Sequence, residues 1–472
     1  MAPSRLGVVA IVAVAFASAS PSIADPAQAA GCAQWRLAIG APGERVAGMA
    51  GAGAVELRDS DGTATLVTPP DPQSGARFGS AIQGANLDGD ACTDLVVGAP
   101  GASVGAQKRA GAVYAFLNGT TGLQHAGTWT VGSNGVPGAP HEDAGFGSSV
   151  SVFNAPGDGG YRRHIVAVGA PGESVGTARA AGVLVQFTLE HGTLDPVDPV
   201  IFNQDSASMP GGAESGDRFG QTLSLTPCIV EGDYYSDGYL HYIVGAPGEA
   251  IGSLPGAGAV NSFAAAYLFE GGPEGSNNGR VYLGSMWSQN SSGMAGSAEA
   301  NDHFGAAVAG DLVYQRVGAV IGVPDEDIGN VRDAGMINRL RCKSWGLVAG
   351  DGASQDSAGM SGAAEAGDHF GAAVSTSLAG VPGEDVGNVV DAGMVNNLGT
   401  GVGLTQNTGG VPGVAEAGDL FGAAIDPYVY PSAVVGAPGE DGKGAVIVLG
   451  NNPVEYKQTI RRVGDGYGSV LF

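Results

Sequence analysis

The chain has 472 residues, a net charge of −25, 83 glycines and four cysteines. Such acidity argues against nucleic acid and anionic membranes as partners, since both are held by basic patches. The glycines follow no Gly-X-Y period, which excludes a collagen-like fibre, and the length suits two or three ordinary domains or one large repeat protein.

The first segment reads as a secretory signal. Arg5 supplies a positive start, Leu6 to Ala17 is an apolar run, and Ala27-Gln28-Ala29 is a small-x-small cleavage site. The expectation is a signal over 1–29 and a secreted mature chain over 30–472. No later stretch reaches the unbroken apolar length of a transmembrane helix, so no membrane span is expected. Cys32 lacks the preceding Leu of a lipidation site, so a lipid anchor is not expected. In an exported chain Cys32, Cys92, Cys228 and Cys342 can form two disulfides, with three possible connectivities. Cys32 with Cys92, and Cys228 with Cys342, would each join neighbouring repeats; buried free thiols are the other reading.

From there on the chain alternates two short signals. Phe-Gly pairs begin at Phe78, Phe146, Phe219, Phe304, Phe370 and Phe421, with a Tyr-Gly at Tyr467. Gly-Ala/Val-Pro units begin at Gly40, Gly98, Gly169, Gly245, Gly322, Gly380 and Gly436. Between them lie short β-branched runs such as Asp94-Leu95-Val96-Val97 and Ile165-Val166-Ala167-Val168. Capped helical periods are missing. Each unit therefore supplies three or four strands of one twisted sheet, and seven sheets arranged radially make an all-β, seven-bladed β-propeller. The first Gly-Ala-Pro has no Phe-Gly before it, and Tyr467-Gly468-Ser469-Val470 has no Gly-Ala-Pro after it. Joining the two ends in one blade completes the seventh unit and removes a free sheet edge. The interval from Phe370 to Gly380 is much shorter than that from Phe78 to Gly98, so the blade there must contain a tight turn.

Phe-Gly followed by Gly-Ala-Pro, with an acidic loop between, resembles the FG-GAP repeat of integrin α-subunit propellers and their bacterial relatives. The resemblance runs over essentially the whole mature chain. It implies a seven-bladed propeller, extracellular placement, calcium sites in some blades, and a role in adhesion or ligand recognition.

The candidate calcium loop is Asn86-Leu87-Asp88-Gly89-Asp90-Ala91-Cys92-Thr93-Asp94. Oxygen side chains at alternate positions of a tight loop can converge, so Asn86, Asp88, Asp90, the Cys92 carbonyl and Asp94 form a hard oxygen set suited to Ca²⁺. The spacing is similar to the family's calcium loop. Asn86 stands where Asp is more usual, and Ala91 where Gly normally permits the turn. An acidic turn without an ion is the competing reading. The loops after Phe146 and Phe219 have lost the pattern: Pro156, Arg162 and Arg163 spoil one, and His241 replaces the closing Asp after Glu231–Asp237 in the other.

Weaker signals remain. Acids follow several Gly-Ala/Val-Pro turns: Glu44, Glu173, Glu249, Glu326 with Asp327, Glu384 with Asp385, and Glu440 with Asp441. They could form a rim for a cationic ligand, or simply repeat because the units were duplicated. His303 and His369 adjoin Asp302 and Asp368, but Arg218 and Leu420 fill the same place in sister repeats, so the motif reads as a turn. The tryptophans suit packing between blades, with a sugar-stacking platform as the sharper alternative. No nucleophile elbow, zinc-binding His-Glu-x-x-His or phosphate loop is present. The expected function is a secreted, calcium-binding, monomeric recognition module for an extracellular protein or glycan ligand. The alternative is an extracellular enzyme acting on glycans through a carboxylate pair such as Glu384 and Asp385.

Overall fold

The computed structural model describes residues 32–33, 35–59, 62–90, 92–155, 163–190, 193–228, 239–267, 281–310, 318–343, 346–426, 433–449, 454–457 and 470–471. The signal segment, the loop Glu231–Asp237, Pro156, Arg162, Ala91, Trp345 and Tyr467-Gly468-Ser469 lie outside them. The described strands form seven antiparallel sheets, six of four strands and one of three. They are the blades of a β-propeller, numbered 1 to 7 from the N-terminus. The single helical feature among the described residues is a 3₁₀ turn at Glu440–Gly442.

Blade 1 closes the ring as the unpaired repeat signals require. Trp35–Ala41 pairs on one side with Ala54–Asp59 and on the other with Val470–Leu471, through Ile39 opposite Leu471 and Gly40 opposite Val470. Blade 6 is the three-stranded one, built from Leu378–Val381, Met394–Asn397 and Gly403–Leu404. Its short interval leaves only a bridge from Val374 to Ala379 where the other blades have a first strand.

The two repeat signals clasp one another. Each Phe-Gly lies in the linker between two blades. The Phe78 amide donates to the Ala52 carbonyl of the preceding blade, and the Gly79 amide donates to Gly98 of the following one. The same pair of bonds recurs at Phe146, Phe219, Phe304, Phe370 and Phe421. All six rings are fully buried, each contributing about 1.5–3 kcal/mol from removal of apolar surface from water. The glycines are dictated by this contact: Gly79 has φ +90, and a Cβ on Gly53 would lie 2.1 Å from the Phe78 carbonyl oxygen. Because strands alternate in direction, the Phe-Gly linkers and the turns between second and third strands share one face of the ring. The loops between first and second strands occupy the other.

Both disulfides join neighbouring blades on that second face. Cys32, just before the blade 1 strand, is bonded to Cys92 in the blade 2 loop, and Cys228 of blade 4 to Cys342 of blade 5. Of the connectivities open to the sequence, this is the pair that joins adjacent repeats.

Candidate functional site

The Asn86–Asp94 loop joins the first strand of blade 2, Ala81–Ala85, to its second, Asp94–Ala99. Its side chains turn back on its own backbone. Asn86 Oδ1 accepts the Gly89 amide at 2.6 Å, Asp88 Oδ1 the Asp90 amide at 3.1 Å, and Asp90 Oδ1 the Cys92 amide at 2.8 Å. These are the local side-chain turns that Asn and Asp favour. Asp94 is fully buried at the base of the loop. Its Oδ2 accepts the Leu87 amide at 2.6 Å and its Oδ1 the Asn118 amide at 2.8 Å.

Asn118 ties the loop to the N-terminal segment. Its Oδ1 accepts the Ala33 amide and its Nδ2 donates to the Ala33 carbonyl, next to the Cys32–Cys92 bond. Asn118 was not among the sequence candidates: its role depends on the third strand of blade 2 arriving beside Asp94, which spacing within the loop does not encode.

The electrostatics of the loop favour a cation. Burial pushes the Asp94 carboxyl up to about 7, against the two amides and with the charges of Asp88 and Asp90 adding to the rise. Asp88 is likewise raised, first by burial and then by Asp90. Three mutually repelling carboxylates and an amide oxygen are hard donors of the kind Ca²⁺ takes. Among the described residues, however, no three His, Cys, Asp or Glu side chains stand together as a formed metal-binding group. The donor set fits calcium in chemistry; the side chains are held by backbone amides rather than already gathered round one point.

On the opposite face, most glutamates of the Gly-Ala/Val-Pro turns are turned away from solvent. Glu44, Glu249, Glu326, Glu384 and Glu440 are buried. Four of them are reached by a glutamine from the linker that leads into their blade: Gln204 Nε2 to Glu249, Gln289 to Glu326, Gln355 to Glu384 and Gln406 to Glu440, at 2.5–2.6 Å. These five glutamates are therefore not available to a cationic-ligand rim, because the turn folds them inward, while Glu173, Asp327 and Asp385 are half-buried and Asp441 is exposed. Each glutamine stands fifteen residues before its Phe-Gly, a spacing that aligned repeats would have revealed. The Asp two residues before Phe-Gly does bond local backbone, as expected of a turn. Asp217, Asp302, Asp368 and Asp419 accept the amides of Glu214, Glu299, Glu365 and Glu416.

The histidines of Asp-His-Phe-Gly are brought together by a residue their own motif does not contain. Asp325, in the second turn of blade 5, lies 2.6 Å from His303 Nδ1 and 2.9 Å from His369 Nδ1, one through each carboxylate oxygen. His303 comes from the linker into blade 5 and His369 from the linker into blade 6. In the six other repeats this position is glycine, and at Gly101, Gly172, Gly248, Gly383 and Gly439 a Cβ would approach a carbonyl oxygen to 1.8–1.9 Å. The signal available in sequence was that exception, an Asp in a glycine's place flanked by the two histidine-bearing linkers.

The described tryptophans, Trp35, Trp129 and Trp287, are turned to packing. Trp129 is buried edge-on against Phe187 of the next blade and donates to the Leu194 carbonyl, and Trp35 is buried in the core. Trp287, half-buried, donates to Ser262 Oγ.

Comparison with known proteins follows the same lines. The FG-GAP repeat family matches residues 78–116, the Phe-Gly, loop and Gly-Ala-Pro of blade 2. Integrin alpha-PS5 of Drosophila melanogaster is 31% identical over 180 residues, which is 38% of this chain and 16% of that protein. The chain thus spans about a sixth of the length of that relative. Among solved structures, the rhamnogalacturonan lyase PL11 of Bacillus licheniformis superposes over 85% of this chain and 79% of its own, with 11% identity and a TM-score of 0.32. A superposition of that score carries no argument about activity. No described helix is long and apolar enough to cross a membrane.

Proposed function

We propose that this integrin-like propeller of FG-GAP repeats is an extracellular recognition module, stabilised by calcium at the Asn86–Asp94 loop. The two disulfides between blades support placement in an oxidising compartment. The observation that carries the calcium reading is Asp94: a fully buried carboxylate pushed up by burial, with the charges of Asp88 and Asp90 adding to the rise and no base bonded to it among the described residues, at the base of an oxygen-lined loop. Asn86, Asp88, Asp90, the Cys92 carbonyl and Asp94 would hold the ion. Its chemistry there is charge neutralisation, so that binding free energy becomes folding free energy. The recognition reading rests on the FG-GAP resemblance and on the integrin similarity. Its ligand class is an extracellular protein or glycan.

The test is binding of the purified protein to arrays of glycans, matrix proteins and whole cells, in calcium and in chelator. Calcium-dependent retention of one ligand class supports the module. Absence of binding to every class, together with turnover of a polysaccharide in a substrate screen, would replace it with the enzyme reading.

A further inference from the structure

The four glutamine–glutamate contacts leave a consistent residue of unmet chemistry. In each pair the glutamine Nε2 donates to the carboxylate, while the glutamine Oε1 is buried without a hydrogen-bond partner: Gln204, Gln289, Gln355 and Gln406. A buried amide oxygen left bare costs about 1–3 kcal/mol, and here the omission repeats with the blades. The glutamates carry a second difficulty. A buried carboxylate needs a cation or a proton. Among the described residues no Lys, Arg or His forms an ion pair with Glu249, Glu326 or Glu384.

The charged groups that act on them among the described residues are acidic. Glu249 faces Asp217 and Glu214; Glu326 faces Asp302, Glu299 and Asp327; Glu384 faces Asp368, Glu365 and Asp385. The linker glycines close over the pairs. A Cβ on Gly296 would stand 2.7 Å from Gln289 Nε2 and 3.3 Å from Glu326 Oε1, and one on Gly362 2.6 Å from Gln355 Nε2.

We propose that at three successive blade junctions Glu249, Glu326 and Glu384 are carried as neutral carboxylic acids, each donating its proton to the Oε1 of Gln204, Gln289 or Gln355 to close an acid–amide ring. One proton at each junction removes the buried charge and satisfies the bare oxygen. Burial pushes Glu249 and Glu326 up to about 7 and raises Glu384, against the glutamine N–H donor and with the neighbouring acids adding to the rise.

Sister repeats that lack one or both partners find another arrangement. In blade 3 the glutamine's place is Val131, and Glu173 meets His141 Nδ1 at 2.5 Å instead. In blade 2 the glutamate's place is Ala102. There Thr63 stands fifteen residues before Phe78, so neither partner is present, and Gln73, five residues before Phe78, bonds the main chain of Ser103 through both of its amide atoms. The unmet oxygen accompanies the buried glutamate.

The linkage has a definite sign. The folded-state pKa of each glutamate lies above its unfolded value, so its contribution to stability is full below about 4.5 and is lost as pH rises through the folded value, which is about 7 for Glu249 and Glu326. The propeller is thereby a proton-holding ring that loosens at these junctions on the alkaline side.

The test is infrared spectroscopy of the purified protein labelled with ¹³C-glutamate, which separates glutamic from aspartic acid bands. At about pH 6 a label-shifted protonated-carboxyl band is expected that disappears by about pH 9. It should be lost in the triple variant Glu249→Gln, Glu326→Gln, Glu384→Gln. That variant should melt near the wild type at about pH 6 and lack the wild type's decline in melting temperature between about pH 6 and pH 9. Absence of the band from wild type at about pH 6 overturns the proposal, and this result does not depend on the variant folding. A band abolished at that pH by added calcium or sodium, with a rise in melting temperature, overturns it in favour of cation sites.

Discussion

Asp325 Oδ2 lies 2.6 Å from His303 Nδ1 across the junction between two blades. The other oxygen of the same carboxylate meets His369 from the next linker. One side chain thus joins blade 5 to the linkers on both of its sides. Burial alone would raise the Asp325 carboxyl, but the two histidines outweigh it and hold it at about 2. Burial likewise works against His369, and Asp325 overcomes it and raises the imidazole. The carboxylate's share of stability is therefore present above its unfolded value and lost as pH falls through about 2. The share of His369 is present below about 6.5 and lost as pH rises through its higher folded value. Asp325→Asn should lower stability by about 1–2 kcal/mol near pH 6 and by less near pH 9. Thermal melts of both proteins across that range check it; equal losses at both pH values would remove the charge from the account.

Asp88→Ala removes one of the proposed calcium ligands without touching the amide bonds that hold Asp94. At a hundredfold excess of calcium over Kd the wild type should gain about 2–3 kcal/mol, and the variant almost none. Scanning calorimetry with calcium and with chelator reads the difference. Identical melting of both proteins in both buffers would leave the loop an acidic turn.

The Cys32–Cys92 bond closes a loop with a sequence separation of 60 residues and fastens the start of blade 1 to blade 2. Replacing both cysteines by serine should cost about 2–4 kcal/mol, since the unfolded chain regains the freedom the bond had removed. Denaturant unfolding in non-reducing buffer measures it. A loss below about 0.5 kcal/mol would mean that strand pairing alone holds this segment.

Phe304 is fully buried between blades 4 and 5, with its backbone bonded to Ala257 and the next amide to Gly322. Phe304→Ala should cost about 3–5 kcal/mol, from lost burial and the cavity left behind. Chemical denaturation checks this. A loss below about 1 kcal/mol would show that the linker can collapse into the space and that the backbone clasp alone sustains the junction.

By itself the sequence determined the number of blades, their order, the closure of the ring in blade 1 and the truncation of blade 6. All of these follow from the spacing of two short signals whose glycines must meet without a Cβ between them, as Gly53 and Phe78 do. It also marked Asn86, Asp88, Asp90 and Asp94 as one loop, because local side-chain turns are made between near neighbours. What only the tertiary structure decided is contact across junctions. The glutamates of the turns read as surface acids because a Gly-Ala-Pro turn looks exposed in sequence, yet the preceding linker folds over them and supplies a glutamine 29 to 45 positions away. Asn118 reached Asp94 from 24 positions away, and Asp325 found two histidines 22 and 44 positions apart from it in opposite directions. Periodicity fixes which blade a residue belongs to; the curvature of the ring decides which residues of two blades share one buried space.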